Sequence, residues 1–205
     1  MFGGTVKSYD ATRAKAVPGV RDVVQVPSGV AVVADHFWAA KLGRDALAVE
    51  WDAGPHAALD SDRLREEFRA LAAGPGLVAA QAGDAAAALG RSGKVLESEY
   101  AVPYLAHATM EPLNCAVSIT PDKCEIWTGT QNPNGLRAAL AGLLGLAVSR
   151  VRVRTPDIGG SFGQKAWVRS EDVAVAAAAL ALRCPVRWIE GRTENLMVGG
   201  HARDD

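Results

Sequence analysis

The chain has 205 residues, 49% of them hydrophobic, and 22 basic side chains against 23 acidic ones give a net charge of −1. That supports one large domain or two small ones with a real core. The even charge balance argues against nucleic acid or an anionic membrane as a partner.

Residues 1–55 alternate strand and helix signals. Thr5–Tyr9 alternates, Asp10–Ala16 reads as a short helix with an acidic cap, and Val17-Pro18-Gly19-Val20 is a turn. Val23–Val26 and Gly29–Ala34 read as strands, Phe37–Leu42 as a helix stopped by Gly43, and Leu47–Trp51 as another strand. Met1–Thr5 lacks the basic-then-apolar pattern of a secretion signal.

Residues 56–93 are dominated by alanine and glycine and read as a connector with one helix, Ser61–Leu71, capped by Ser61 or Asp60. From Lys94 the pattern turns strand-rich and then βα-like. Lys94–Val102 is expected as a strand, and Cys115–Ile119 with Glu125–Thr128 as a hairpin around Pro121-Asp122. Asn132 is a good N-cap with Pro133 at the first helical position, and Leu136, Leu140, Leu143 and Leu144 form one stripe ended by Gly145. A strand, Val151–Thr155, a helix, Ser170–Leu182, and a strand, Val186–Glu190, complete an α+β chain. The longest apolar run, Val173–Leu182, has the length of a core helix, well short of a membrane span.

Cys115, Cys124 and Cys184 include no C-x-x-C pair, so a zinc ribbon or an iron–sulfur cluster built from this chain alone is not expected. They read as reduced, buried thiols. Arg150, Arg152 and Arg154 share a parity that points them to one solvated strand face.

Two polar loops stand out, each between a strand and a helix. One is Gln131-Asn132-Pro133; the other is Gly159-Gly160-Ser161-Phe162-Gly163-Gln164-Lys165. Glycines permit positive φ and let peptide N–H groups approach a ligand. A glycine loop that leads into a helix start suits an anion or an oxygen-rich cofactor. Two such loops from successive βα units can converge on one guest.

In order and separation, His107-Ala108-Thr109-Met110-Glu111-Pro112, Thr130-Gln131-Asn132-Pro133, Gly159–Lys165 and Pro185–Glu194 resemble the molybdenum-binding large subunit of the xanthine oxidase and aldehyde oxidase family of molybdenum hydroxylases, in its isoquinoline 1-oxidoreductase beta-subunit branch. Gly29–Ala34, Gly43–Leu47 and Glu50-Trp51-Asp52 resemble that family's α/β hammerhead domain. The resemblance implies a hammerhead-like domain over 1–55, a connector over 56–93 and the first part of a molybdopterin-binding α/β domain over 94–205. It implies a molybdenum–molybdopterin cofactor in the cytosine dinucleotide form, iron–sulfur clusters on a small partner subunit, and hydroxylation of an aldehyde or N-heterocycle with oxygen from water.

By the same resemblance, Gln131, Gly160, Ser161, Phe162 and Gly163 bind the cofactor. Gln131 and Phe162 lie near ligands of the molybdenum, and no side chain of this chain ligates it directly. A neutral amide can hold an oxygen ligand without displacing it, and peptide N–H groups are fixed donors. The general-base glutamate is expected beyond Asp205, so Glu111, Glu190 and Glu194 do not inherit that role, and the chain alone is expected to be inactive as an N-terminal fragment. Ala166 stands where purine-oxidising relatives carry an acidic residue, which speaks against purine recognition by this loop.

Plainer readings stand beside these. Gly159–Lys165 could serve a non-catalytic phosphate- or nucleotide-binding module or an interaction fragment, although neither G-x-x-x-x-G-K-[ST] nor a complete dinucleotide fingerprint is present. Lys165 reads as an exposed loop lysine, His107 as a hydrogen-bonded structural histidine, and Trp127 and Trp188 as core. Glu111 either ties down a turn or lines the site. Arg187, Glu190, Arg192 and Glu194 read as a charged surface network, and His36, His56 and His201 share no ligand spacing.

Overall fold

The structure is a computed structural model that describes residues 3–168 and 170–198; His201 lies outside them. The first unit runs β1 (Thr5–Asp10), α1 (Thr12–Lys15), β2 (Val20–Val26), β3 (Gly29–Ala34), α2 (Phe37–Ala46) and β4 (Ala48–Asp52). β1 pairs antiparallel with β4, and β2 with β3, so two ribbons form. The N-cap of the first short helix is Ala11, with no side-chain cap; the expected acidic cap, Asp10, stands one residue earlier and accepts the Thr12 N–H at 2.8 Å as a local turn.

Gly43 does not stop α2. The helix continues to Ala46, and a Cβ at Gly43 would lie 2.7 Å from Val20 Cγ2 and 2.8 Å from Val32 Cγ1. The glycine serves a close approach of helix to ribbon instead of a left-handed cap.

The connector holds two helices, α3 (Ser61–Ala72) and α4 (Ala85–Arg91), with no residue of either buried. Asp60, and not Ser61, caps the first, accepting the Arg63 N–H at 2.9 Å; Asp84 caps the second, accepting from Ala87 at 2.9 Å. The second helix is masked in the sequence by its alanine- and glycine-rich surroundings, where the Asp84 cap is its main local signal. Lys94–Val102 forms no strand. Its side chains suit a ladder, but no described strand lies beside it to supply the hydrogen bonds, and Leu96 and Tyr100 stand 85% and 87% exposed.

The second unit runs β5 (Asn114–Thr120), β6 (Lys123–Thr128), α5 (Pro133–Leu144), a 3-10 turn at Val148–Arg150, β7 (Val151–Arg154), α6 (Ser170–Leu182), β8 (Val186–Ile189) and α7 (Arg192–Val198). The sheet order is β7-β6-β5-β8, with β6 and β7 parallel and the other neighbours antiparallel. α5 is the crossover between the parallel pair. Asn132 accepts the Gly135 N–H at 3.0 Å, Pro133 opens the helix and Gly145 closes it at φ +64°. Val117 and Ile126 of the sheet pack with Leu136 and Leu140 of α5 and Ala176 and Ala179 of α6 to form the core.

Strand alternation corrects one expectation. Cys124, Ile126 and Thr128 take the buried face of β6, so Trp127 faces out at 40% exposure, with the Arg154 guanidinium 6.0 Å from its ring. Arg154 also bonds Glu125 at 2.9 Å. Trp188 packs against the core. Cys115 faces Thr128 and Cys124 faces Ile119, so the two are not cross-strand partners; both are buried free thiols, whereas Cys184 is exposed. Arg44 and Glu194, 2.7 Å apart, tie α2 to α7 across the two units. Among the described residues, no helix is long and apolar enough to cross a membrane.

Candidate functional site

β6 and β7 lie side by side and parallel, with Trp127 opposite Arg154, so the chain leaves both at the same edge of the sheet. The loop after β6 carries Thr130 and Gln131, and the loop after β7 carries Gly159–Lys165. The crevice outside the carboxyl ends of parallel strands is where such sheets bind ligands.

The two loops are stitched together. Gln131 donates its backbone N–H to the Lys165 carbonyl at 2.8 Å, and Thr130 Oγ1 donates to the same oxygen at 3.4 Å. Lys165 in turn donates its N–H to Ser161 Oγ at 3.1 Å, and Ser161 Oγ donates to Gln131 Oε1. The ring uses the carbonyl end of the Gln131 amide. Its NH2 end remains a donor on an exposed side chain.

The glycine loop has the backbone its sequence demands. Gly160 and Gly163 sit at φ +101° and +92°, and Phe162 between them at φ +51°. A left-handed phenylalanine costs about 1–2 kcal/mol, and Phe162 recovers little by packing because it is 77% exposed. Strain of this kind marks a site held open for a purpose. A Cβ at Gly163 would meet nothing within 4 Å, whereas one at Gly159 would lie 2.6 Å from Glu111 Cβ. One glycine thus borders open space and the other a tight contact.

Lys165 is not an exposed loop lysine. Its residue is 1% exposed, and its Nζ lies 2.5 Å from Glu111 Oε2. Glu111 ties down a turn: its Oε2 also accepts the Gly159 N–H at 3.0 Å, its Oε1 accepts from Asn114 Nδ2 at 3.2 Å, and its own N–H donates to the Gly159 carbonyl at 3.0 Å. Burial pushes the Glu111 carboxyl up, but the hydrogen bonds from Lys165, Gly159 and Asn114, with the lysine charge, outweigh it and hold the group below its ordinary value. Two opposite charges, one in each of two quoted motifs, were the signal available in the sequence; nothing local in the chain links them.

The charged network around β8 is only partly on the surface. Glu190 is 6% exposed and accepts from Asn195 Nδ2 at 2.8 Å, and Arg192 Nη2 reaches the Thr109 carbonyl at 2.5 Å. Arg192 thereby braces the 107–112 loop, a contact that the spacing alone did not announce.

Among the described residues, His107 Nδ1 and Gln164 Oε1 are buried without a hydrogen-bond partner. His107 is therefore not fully satisfied as a structural histidine. Gln164 Oε1 belongs to the glycine loop, whereas His107 Nδ1 lies in the separate 107–112 segment; a buried acceptor left without a donor is costly. Elsewhere the histidines are local: His36 Nδ1 accepts the Ala39 N–H at 3.3 Å. Among the described residues, no group of three or more His, Cys, Asp or Glu could hold a metal ion.

The family model for the molybdopterin cofactor-binding domain matches residues 71–205. The isoquinoline 1-oxidoreductase subunit beta of Brevundimonas diminuta is 33% identical over 207 residues, covering 95% of this chain and 26% of that protein. The nicotine 6-hydroxylase large subunit of Paenarthrobacter nicotinovorans is 37% identical over 124 residues, covering 60% of this chain and 15% of that one. The crystal structure of quinoline 2-oxidoreductase from Pseudomonas putida 86 superposes with a TM-score of 0.73 at 26% identity, over 98% of this chain and 31% of its own. The chain spans less than a third of the length of each.

Proposed function

The chain belongs to the molybdopterin cofactor-binding domain family, and on that premise we propose that it is part of the catalytic subunit of a molybdenum hydroxylase that oxidises an aldehyde or N-heterocycle with water-derived oxygen. The relatives named for isoquinoline, nicotine and quinoline support that substrate class. The observation that carries the reading is the stitched meeting of Gln131 with Ser161 at the open edge of the parallel strands.

In this reading Gln131 offers its NH2 group, and Gly160, Ser161, Phe162 and Gly163 offer backbone groups, to a molybdenum–pterin cofactor, with the Ser161 hydroxyl holding the Gln131 amide. The residues present fit such a group: the exposed Gln131 amide keeps its NH2 donor free, positive-φ glycines keep the backbone bare, and Gln164 Oε1 of the same loop has no hydrogen-bond partner. When bound, the cofactor supplies the redox chemistry, and the protein orients and tunes it. What this chain contributes is placement, with one amide held by a serine and a loop kept left-handed.

Finer parts of the proposal follow the resemblance. Residues 1–55 are the hammerhead-like domain, 56–93 the connector and 94–205 the first part of the cofactor domain. The cofactor takes the cytosine dinucleotide form. The general base comes from the remainder of the molybdenum subunit, and electrons leave through a small iron–sulfur subunit. A phosphate-binding reading of Gly159–Lys165 is not favoured, because Lys165 is buried against Glu111 and cannot reach out to an anion.

The test is to purify the full-length parent with its partner subunits, measure molybdenum and pterin per subunit, and assay aldehydes and N-heterocycles. Near-stoichiometric metal with turnover is expected. A well-folded preparation without molybdenum overturns the proposal.

A further inference from the structure

We infer that Glu111 and Lys165 form a positioning pair that sets the Gln131 amide and the Phe162 turn over the cofactor. The inference rests on the functional reading above and adds two residues to it.

Four observations carry it. First, one carboxylate oxygen, Glu111 Oε2, takes both the Gly159 N–H at 3.0 Å and the Lys165 ammonium at 2.5 Å, so it grips the two ends of the glycine loop at once. Second, the grip cannot slide. The Gly159 backbone sits so close to Glu111 that a Cβ there would be 2.6 Å from Glu111 Cβ, and Glu111 is also held through Asn114 Nδ2 and through its carbonyl, which accepts from Thr109 Oγ1 at 2.7 Å. Third, the main chain of Lys165 is the hub of the stitch, accepting from Gln131 N and donating to Ser161 Oγ. Fixing the lysine side chain behind the loop therefore fixes both groups in front of it. Fourth, a buried ion pair is a weak source of net stability compared with apolar packing of similar volume. Its better-attested use is to specify register, and here it joins segments 54 residues apart.

Neither side chain reaches the cofactor in this account. Both act through Gln131, Ser161 and the left-handed turn, so removing the pair should change how the cofactor is held more than whether the domain folds.

The experiment uses the full-length subunit assembled with its partners. Lys165→Met leaves a half-buried carboxylate without its counter-ion, so it is paired with the neutral double variant, Glu111→Gln with Lys165→Met, which removes both charges. Molybdenum content, thermal midpoint, the electron paramagnetic resonance signal of the reduced metal, and separate kcat and KM values are read for each. The double variant is expected to keep a parental midpoint and metal content, to shift the resonance signal, and to lose about 10-fold or more in kcat with KM little changed. A double variant with the parental signal and kcat overturns the inference. So does one that no longer folds, because the pair would then be a stability element. A parent that carries no molybdenum at all sinks the functional reading, a result distinct from a loaded parent matched by its variant.

Discussion

Ser161 Oγ donates its hydrogen to Gln131 Oε1 while accepting the Lys165 N–H. The hydroxyl has one hydrogen, so accepting from the backbone aims that hydrogen at the amide. The amide's orientation is thereby set, with oxygen toward the serine and the NH2 left as a donor on an exposed side chain. Gln131→Ala removes the donor and leaves the loop ladder intact, since the backbone N–H to Lys165 survives. Activity per bound molybdenum in the full enzyme is expected to fall about 10- to 100-fold, with cofactor content reduced less. Equal activity per molybdenum in variant and parent would refute the assignment.

Phe162→Gly separates strain from function. Glycine takes φ +51° without penalty, and the phenylalanine ring is 77% exposed, so little burial is lost. The strain released, about 1–2 kcal/mol, is offset by the roughly 0.5–1 kcal/mol that glycine adds to the entropy of the unfolded chain, so the variant is expected to match or slightly exceed the parent in denaturation midpoint. The same change should lower cofactor retention in the full-length subunit. Lower stability would mean that the ring packs more than its exposure indicates.

The α+β class and most element boundaries were legible because local chemistry decides them. Asn132, Pro133 and Gly145 bracket α5 by capping alone, and Pro121-Asp122 turns the β5–β6 hairpin. The meeting of Gln131 with the glycine loop was legible too, since both follow strands that come to lie parallel. What the sequence hid depends on partners distant in the chain. Lys165 looks like any loop lysine until Glu111 is beside it. Gly43 looks like a helix stop until Val20 and Val32 are seen against it. Lys94–Val102 has the composition of a strand, yet it joins none of the described sheets.

Acid should release the clamp in a defined direction. The Glu111 carboxyl is held below its ordinary value of 4.5 in the folded chain. Its contribution is therefore fully present above that value and is lost as the pH falls through the lower folded one. The stability gap between the parent and Glu111→Gln, about 1–3 kcal/mol at neutral pH for a charge-assisted contact with one partner part-exposed, is expected to narrow as denaturation is repeated below pH 4.5. A gap that stays constant from neutral to strongly acidic pH would mean that the carboxylate charge does not contribute.

The three thiols should separate by reactivity. Cys184 is exposed, whereas Cys115 and Cys124 are buried, and burial, with the nearby Glu125 charge, pushes the Cys124 thiol up to about 11. Thiolate is the reactive form. Iodoacetamide at neutral pH is expected to label Cys184 alone in the folded chain and all three in denaturant, read by peptide mass spectrometry. Fast native labelling of Cys124 would contradict the β5–β6 placement.

Two glycine-to-alanine changes test the close approach beneath the loop against an internal control. At Gly142, in the exposed part of α5, a new Cβ meets nothing within 4 Å. There alanine should stabilise by about 0.5–1 kcal/mol through helix propensity. At Gly159 the new methyl would press on Glu111 Cβ at 2.6 Å, with backbone on both sides and no flexible end to swing away. Something in the 107–112 turn or the glycine loop must shift, and overpacking of this kind costs about 1–3 kcal/mol. The expected result is opposite signs for the two variants in the same denaturant titration, with cofactor retention in the full-length subunit lost only in Gly159→Ala. Matching stabilisation at both positions would show that the loop does not rest on Glu111, and the route from that carboxylate to Gln131 would then have no mechanical basis.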